Sequence, residues 1–167
     1  MNMIDRTLVL LKPDAVKRGL MGKILSRFED AGLKVVGAKM VQIDETFAKK
    51  HYDEIGEVGK RRGENVLHRM TKILSSGPVL ALCLEGIQAV ENVRKMVGTT
   101  EPKSAAPGTI RGDFSHHSFA YTDAAGKGVE NVVHASGSSD ESQKEIELWF
   151  KQSELYNYKT VHEVHVF

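Results

Sequence analysis

A single-domain α/β or α+β sandwich is the fold class this sequence predicts, and three observations carry the prediction. The chain has 167 residues, room for one core of ordinary size. Hydrophobic residues make up 41% and charged residues 27%, a balance that excludes disordered and fibrous classes. Short runs rich in Val and Leu alternate with stretches whose apolar residues recur at helical spacing, the pattern of strands layered on helices.

Thr7–Leu11 reads as the first strand, stopped by Lys12-Pro13-Asp14. Met21–Asp30 reads as a helix, with Ile24, Leu25 and Phe28 on one face and Gly32 closing it. Val35, Val36 and Val41 mark a second strand within Leu33–Ile43, after which Asp44 caps a short helix to about Tyr52. A charged stretch begins at Glu57, and Val66, Leu67, Met70, Ile73 and Leu74 then define another helical face. Ser75-Ser76-Gly77-Pro78 breaks that helix before a central strand at Val79–Leu84; Ile87–Val97 is helical, ended by Gly98. Thr99–Phe114 shows no period and reads as a long, ordered-looking loop, a length that is usually functional or disordered, and Ser115–Gly128 reads as a second irregular stretch. Val132-Val133 gives a short strand and Ser139–Phe150 a helix that turns Ile146, Trp149 and Phe150 inward. The chain ends in a stretch read as a terminal strand, and no repeat or second domain interrupts residues 1–167.

The formal net charge is +1, from 23 Lys+Arg against 22 Asp+Glu. Nucleic-acid and membrane-surface binders lean basic, so neither partner is expected. The apolar run Leu8–Leu11 is far short of the roughly 20 residues of a membrane span and too short for a signal-peptide core. Cys83, the single cysteine, lies in an apolar strand and reads as a structural thiol in a reducing, cytoplasmic setting.

No phosphate-loop or dinucleotide fingerprint is present. His162 and His165 lack the i, i+4 spacing of a helical zinc pair, and in a strand they point to opposite faces. His134 has the most suggestive setting of the seven histidines: it follows Val132-Val133 and precedes Ala135-Ser136-Gly137, a strand end opening into a turn. An imidazole there can serve as base, ligand or nucleophile, or simply as a structural side chain. Arg111, among Gly108 and Gly112, can grip phosphate oxygens bidentately, and Arg94 and Lys12 stand at other element ends. These cations favour phosphate chemistry over ordinary surface ion pairs.

Three segments then resemble one family. Arg6–Val16 is similar to the opening of nucleoside diphosphate kinases, Pro107–Phe114 matches that family's P-G-T-I-R-G-D-F, and Asn131–Ser136 resembles its N-x-x-H-x-S. The order and approximate spacing hold from Arg6 to about Tyr158. The resemblance implies a ferredoxin-like βαββαβ core: a four-stranded antiparallel sheet with helices on one face, assembled into a homo-oligomer, commonly a hexamer. It implies transfer of the γ-phosphoryl group of ATP or another nucleoside triphosphate to a nucleoside diphosphate by a ping-pong route, with His134 becoming a phosphohistidine. By matching position, Arg94, Thr100 and Arg111 hold phosphates. Lys12 and Asn131 hold ribose hydroxyls, with Lys12 also reaching the transferring phosphate. Tyr52 stands beside the nucleophile, Glu145 orients its imidazole, and Ser136 joins that network. Mg²⁺ is expected on the nucleotide phosphates, held by them and by water rather than by a protein metal site.

The sequence departs from the family pattern in four places. No aromatic residue follows Tyr52 until Phe114, so the phenylalanine that usually stacks on the base is missing, and Val66, Leu67 or a remodelled Glu57–Val66 loop is left to form the platform. Ser115–Glu130 is longer than usual and carries His116, His117, Phe119 and Tyr121: a surface insertion or subunit contact, or an aromatic cover for the base, with metal binding by the histidine pair remote. Ala135 replaces a common glycine. Gly137 replaces a frequent aspartate associated with magnesium-bound water, a place Asp140 takes only if the turn bends toward the site. The rival to an active kinase is a nucleotide-binding or scaffold protein of the same fold that has lost turnover. The joint retention of His134, Lys12, Arg94, Arg111, Asn131 and Glu145 argues against it.

Overall fold

A computed structural model describes residues 3–166. The first strand, β1 (Ile4–Leu11), is buried without a break from Thr7 to Leu11. A strand apolar on both sides needs cover on both sides and belongs inside a sheet. Pro13 opens α1 (Pro13–Lys17), where a missing N–H leaves no bond unmade. The second helix, α2 (Met21–Asp30), buries Ile24 and Phe28, and Gly32, at φ +84°, turns the chain into β2 (Lys34–Val41). Asp44 caps α3 (Glu45–Lys49), its carboxylate accepting the Phe47 N–H at 2.7 Å. The chain continues as a π-helical turn, Lys50–Ile55, that buries His51 and Tyr52; such turns favour functional sites. Two helices, α4 (Val58–Arg62) and α5 (Glu64–Ser75), lead to β3 (Val79–Ile87), and α6 (Ala89–Val97) ends at Gly98, φ +85°.

The aperiodic stretches hold short helices where their sequence suggests only irregular chain. They contain a 3₁₀ turn at Pro102–Ser104, α7 (Ile110–Phe114) and α8 (Phe119–Ala124), correcting the expectation of two loops. Helices of one turn cannot display a repeat; each is instead held by a cap, Thr109 Oγ1 accepting from Gly112 N–H and Ser118 Oγ from Tyr121 N–H. The short β4 (Val133–Ala135) and α9 (Ser139–Trp149) complete the site-bearing part. At the end of the described chain a four-residue helix, α10 (Glu163–Val166), replaces the expected terminal strand. Ile87 belongs to β3 rather than to the helix after it.

The four strands pair antiparallel in the order β2-β3-β1-β4. Helices cover both faces, not one. On one side Val9, Leu11, Leu82 and Leu84 pack with Ile24 and Phe28 of α2 and Val93 and Val97 of α6. On the other, Leu8, Leu10, Ala81 and Cys83 pack with Tyr52, Leu67, Leu74, Ile146 and Trp149. The second layer exists because α3 to α5 lie between β2 and β3, where a ferredoxin-like core needs only a short link. Burial raises the Cys83 thiol to about 12, which makes it inert, as expected for a structural cysteine.

Candidate active site

The nucleophile candidate sits on an edge strand beside a strained turn. Val132 has φ +61° and is fully buried. Positive φ is costly for a β-branched residue and persists only where neighbours over-determine it. Here Val133 N–H donates back to the Asn131 carbonyl at 2.7 Å, Val132 N–H donates to Asp14 Oδ2 at 2.9 Å, and Lys12 N–H donates to the Val132 carbonyl at 2.9 Å. The turn delivers Asn131 and His134 to one cavity of about 1050 Å³.

His134 pairs opposite Leu10 of β1. Its Nε2 lies 2.8 Å from Glu145 Oε1. Glu145, on the buried face of α9, has no solvent exposure, and its other oxygen accepts the Ser136 hydroxyl at 2.5 Å. Burial pushes the Glu145 carboxyl upward, but the charge and hydrogen bond of His134 and the Ser136 hydroxyl outweigh it and hold the group below its ordinary value. A carboxylate in that position places the ring proton on Nε2 and leaves Nδ1 as the free lone pair. Nδ1 has no partner among the described residues.

His51, which sequence reading passed over, packs its ring 4.5 Å from that of His134. Its Nδ1 is 3.6 Å from Glu145 Oε1 but accepts the Trp149 indole N–H at 3.2 Å. Burial, reinforced by His134, lowers its pKa to about 3, so His51 is neutral and its contact with Glu145 is no ion pair. Its only sequence signal is adjacency to Tyr52. The Tyr52 ring lies 6.2 Å from His134, and burial drives its phenol well above the ordinary range, so it stays protonated.

Lys12 Nζ donates to Asn131 Oδ1 at 2.5 Å, and Asn131 Nδ2 donates to the Thr100 carbonyl at 2.7 Å. Burial lowers the Lys12 pKa to about 8 against the opposing pull of Asp14. The Arg111 guanidinium donates to the carbonyls of Gly98 at 3.0 Å and Val133 at 2.8 Å, while its buried Nε has no partner. Burial also brings its pKa down to about 10. Arg94 lines the same cavity from α6. The residues given catalytic or nucleotide-binding roles from the sequence come together here: Lys12, Tyr52, Arg94, Thr100, Arg111, Asn131, His134 and Glu145 line the cavity, and Ser136 stands directly behind Glu145.

Arg61 and Arg62 join them from α4; only the charge-rich stretch after Glu57 hinted at this. The carboxylate beside Gly137 is that of Glu141, not Asp140. It occupies the space a side chain at 137 would fill, and among the acids of that turn it alone lines the cavity. The turn keeps Asp140 outside because Ser138 Oγ accepts from the Glu141 N–H and starts α9 there. Burial, then the nearby Glu145 charge, raises the Glu141 carboxyl. Of the expected platform residues, Val66 faces the cavity while Leu67 is buried in the core.

His51, His134 and Glu145 are the one group of three potential metal ligands among the described residues. His51 Nδ1 already accepts from Trp149, and His134 Nε2 and the Glu145 carboxylate already meet each other, with Ser136 on the second oxygen; a nitrogen-rich set also does not suit Mg²⁺, which takes oxygen ligands. His116 and His117, with ring centroids 5.8 Å apart, find no third potential metal ligand among the described residues.

Comparison with known proteins adds an independent finding. The family model described as nucleoside diphosphate kinase matches residues 5–155. The nucleoside diphosphate kinase of Borreliella burgdorferi is 48% identical over 157 residues, covering 94% of this chain and 93% of that protein. That of Pyrococcus furiosus is 47% identical over 158 residues, 95% of this chain and 90% of that protein. A solved structure described as a transition state mimic of the Borrelia burgdorferi enzyme with bound vanadate and ADP superposes with a TM-score of 0.96 at 46% identity, covering 99% of this chain and 98% of that one.

Proposed function

The chain belongs to the nucleoside diphosphate kinase family, and from that premise we propose how its own residues carry out the reaction. It is a phosphotransferase that moves a phosphoryl group from a nucleoside triphosphate to a nucleoside diphosphate. In the first half-reaction the Nδ1 lone pair of His134 attacks the γ-phosphorus of ATP. An N–P bond forms, the bond from phosphorus to the bridging oxygen breaks, and ADP leaves with that electron pair. In the second, a terminal oxygen of an incoming nucleoside diphosphate attacks the phosphohistidine and Nδ1 recovers its lone pair. One site thereby handles two mutually repelling anions in turn. The observation that supports this route is the His134–Glu145–Ser136 chain, which fixes the ring proton on Nε2 and turns Nδ1 outward.

Phosphoryl transfer needs alignment and charge neutralisation more than covalent assistance. Arg94, Thr100 and Arg111 hold phosphates, with the carbonyl-pinned Arg111 offering a rigid fork. Lys12 and Asn131 hold the ribose hydroxyls, and Lys12 reaches the transferring group. Tyr52 stays neutral beside the nucleophile. Glu141 is the carboxylate of that turn lining the cavity, and it would meet the water shell of a Mg²⁺ ion carried on the nucleotide phosphates, whose charge such an ion would offset. A cytoplasmic setting and a homo-oligomer, most simply a hexamer, complete the reading. Ile4 and Ile87, paired opposite one another, and Met40 on the edge strand are exposed apolar side chains available to a neighbouring copy, and light scattering checks the assembly mass.

A single-turnover reaction with γ-labelled ATP and Mg²⁺ tests the mechanism. Label should appear on the protein, survive alkali, be lost in acid and move to GDP. His134→Ala should abolish labelling while retaining nucleotide binding. Labelling of that variant, or none on folded wild-type protein that binds ATP, overturns the route.

A further inference from the structure

The cavity carries a second set of lining residues remote in character from the phosphate grip. Val66, Met70 and Ile73 of α5 present an apolar side, and α8 adjoins it with Phe119. Several bonds join these two walls. Arg69 donates to Asp123 Oδ1 at 2.8 Å and reaches the Lys127 carbonyl at 3.4 Å. Gly128 passes so close to α5 that an added Cβ would collide with Ile73. Phe119 is itself fixed: its N–H donates to Glu101 Oε1 at 2.9 Å, one residue beyond the cavity-lining Thr100. The segment after residue 115 is thus a built wall of the cavity and not a surface appendage.

Aromatic supply decides what this wall is for. Tyr52 is committed to contacts with His51 and His134. Phe119 stacks on no ring among the described residues and is 39% exposed at the cavity. Tyr121, the other aromatic of the segment, is 59% exposed and does not line the cavity. A nucleobase is a flat π surface whose transfer from water onto an aromatic face is favourable whatever its edge pattern. Taking the kinase reading as given, we infer that α8 supplies the face on which the base lies, with Phe119 opposed to the apolar side of α5 and the Arg69–Asp123 pair holding the two walls together. Stacking of this kind accepts purines and pyrimidines alike.

The test compares acceptors with and without a base. Phosphoenzyme is discharged by ADP, by CDP and by ribose 5-diphosphate, while calorimetry measures ADP binding to unphosphorylated protein. Phe119→Ala should raise the half-saturating concentration of ADP and CDP by about 5- to 150-fold, the range of one lost stacking contact. The maximal discharge rate and the response to ribose 5-diphosphate should not change. Phe119→Trp should restore tight binding, Asp123→Ala should weaken both nucleotides in the same sense, and Tyr121→Ala should match wild type. Unchanged ADP affinity in Phe119→Ala overturns the inference. So does a loss shared equally by ribose 5-diphosphate, or one accompanied by a changed assembly mass, which would make the segment a subunit contact. Because calorimetry needs no turnover, a failure of the phosphohistidine route leaves this result readable on its own.

Discussion

At the scale of single residues, the site depends on which nitrogen of His134 is protonated. Glu145→Gln keeps the volume of the side chain but no longer has to accept from Nε2, so the tautomer is released. We expect kcat to fall about 10- to 100-fold, the usual effect of removing such an orienting carboxylate, with nucleotide binding nearly unchanged. An equal rate would place Glu145 outside the chemistry. Lys12 adds a pH limit. Burial brings its pKa to about 8, below that of an ordinary lysine, so the charge that its proposed phosphate contact requires is lost as pH rises through that value. The profile of kcat/KM, which reports the free enzyme, should decline above about pH 8. In Lys12→Arg the decline should move upward, since guanidinium does not titrate there. His134, Lys12 and Arg111 were legible in the sequence because each lies inside a contiguous motif. His51 was not, because what gives it meaning is Trp149, 98 residues later in the chain.

At the scale of elements, α9 carries Glu145 on its buried face and starts at a cap that also sets which acid faces the cavity. Ser138 Oγ accepts the Glu141 N–H at 3.2 Å. Ser138→Ala should lower unfolding stability by about 1 kcal/mol, measured by urea denaturation. It should also reduce activity, because fraying of the first turn moves Glu141. The long periodic elements could be placed from sequence: α2 has the bounds its apolar spacing predicted. α7 and α8 could not, since five or six residues hold barely one period and their only marks were Thr109 and Ser118. β1 and β3 run beyond their apolar cores because pairing continues through polar residues, with Arg6 opposite Glu85.

At the scale of the whole molecule, the sheet is closed by the returning tail. Tyr156 N–H donates to the Val36 carbonyl at 2.7 Å and the Tyr158 hydroxyl to the Val35 carbonyl at 2.6 Å, along the edge strand β2. Lys34 joins Glu85 at 2.8 Å and Glu163 at 3.3 Å, tying sheet to tail. Lys34→Met should cost about 1–3 kcal/mol, the scale of hydrogen bonds to charged groups, because Glu85 keeps Arg6 but loses its second cation and Glu163 loses its link to the sheet; the loss should be seen as a lowered Tm with kcat intact. The double covering of the sheet was only half legible: the run Thr7–Leu11 demanded it, but the location of the second layer depended on helices between β2 and β3. That layer also holds Trp149, the only tryptophan of the chain. Its indole N–H ends on His51, whose ring lies against His134. A phosphoryl group on His134 would stand one ring away from the indole, so the protein's own ultraviolet emission is expected to change on adding ATP, a shift that stopped-flow fluorescence reads without an attached dye.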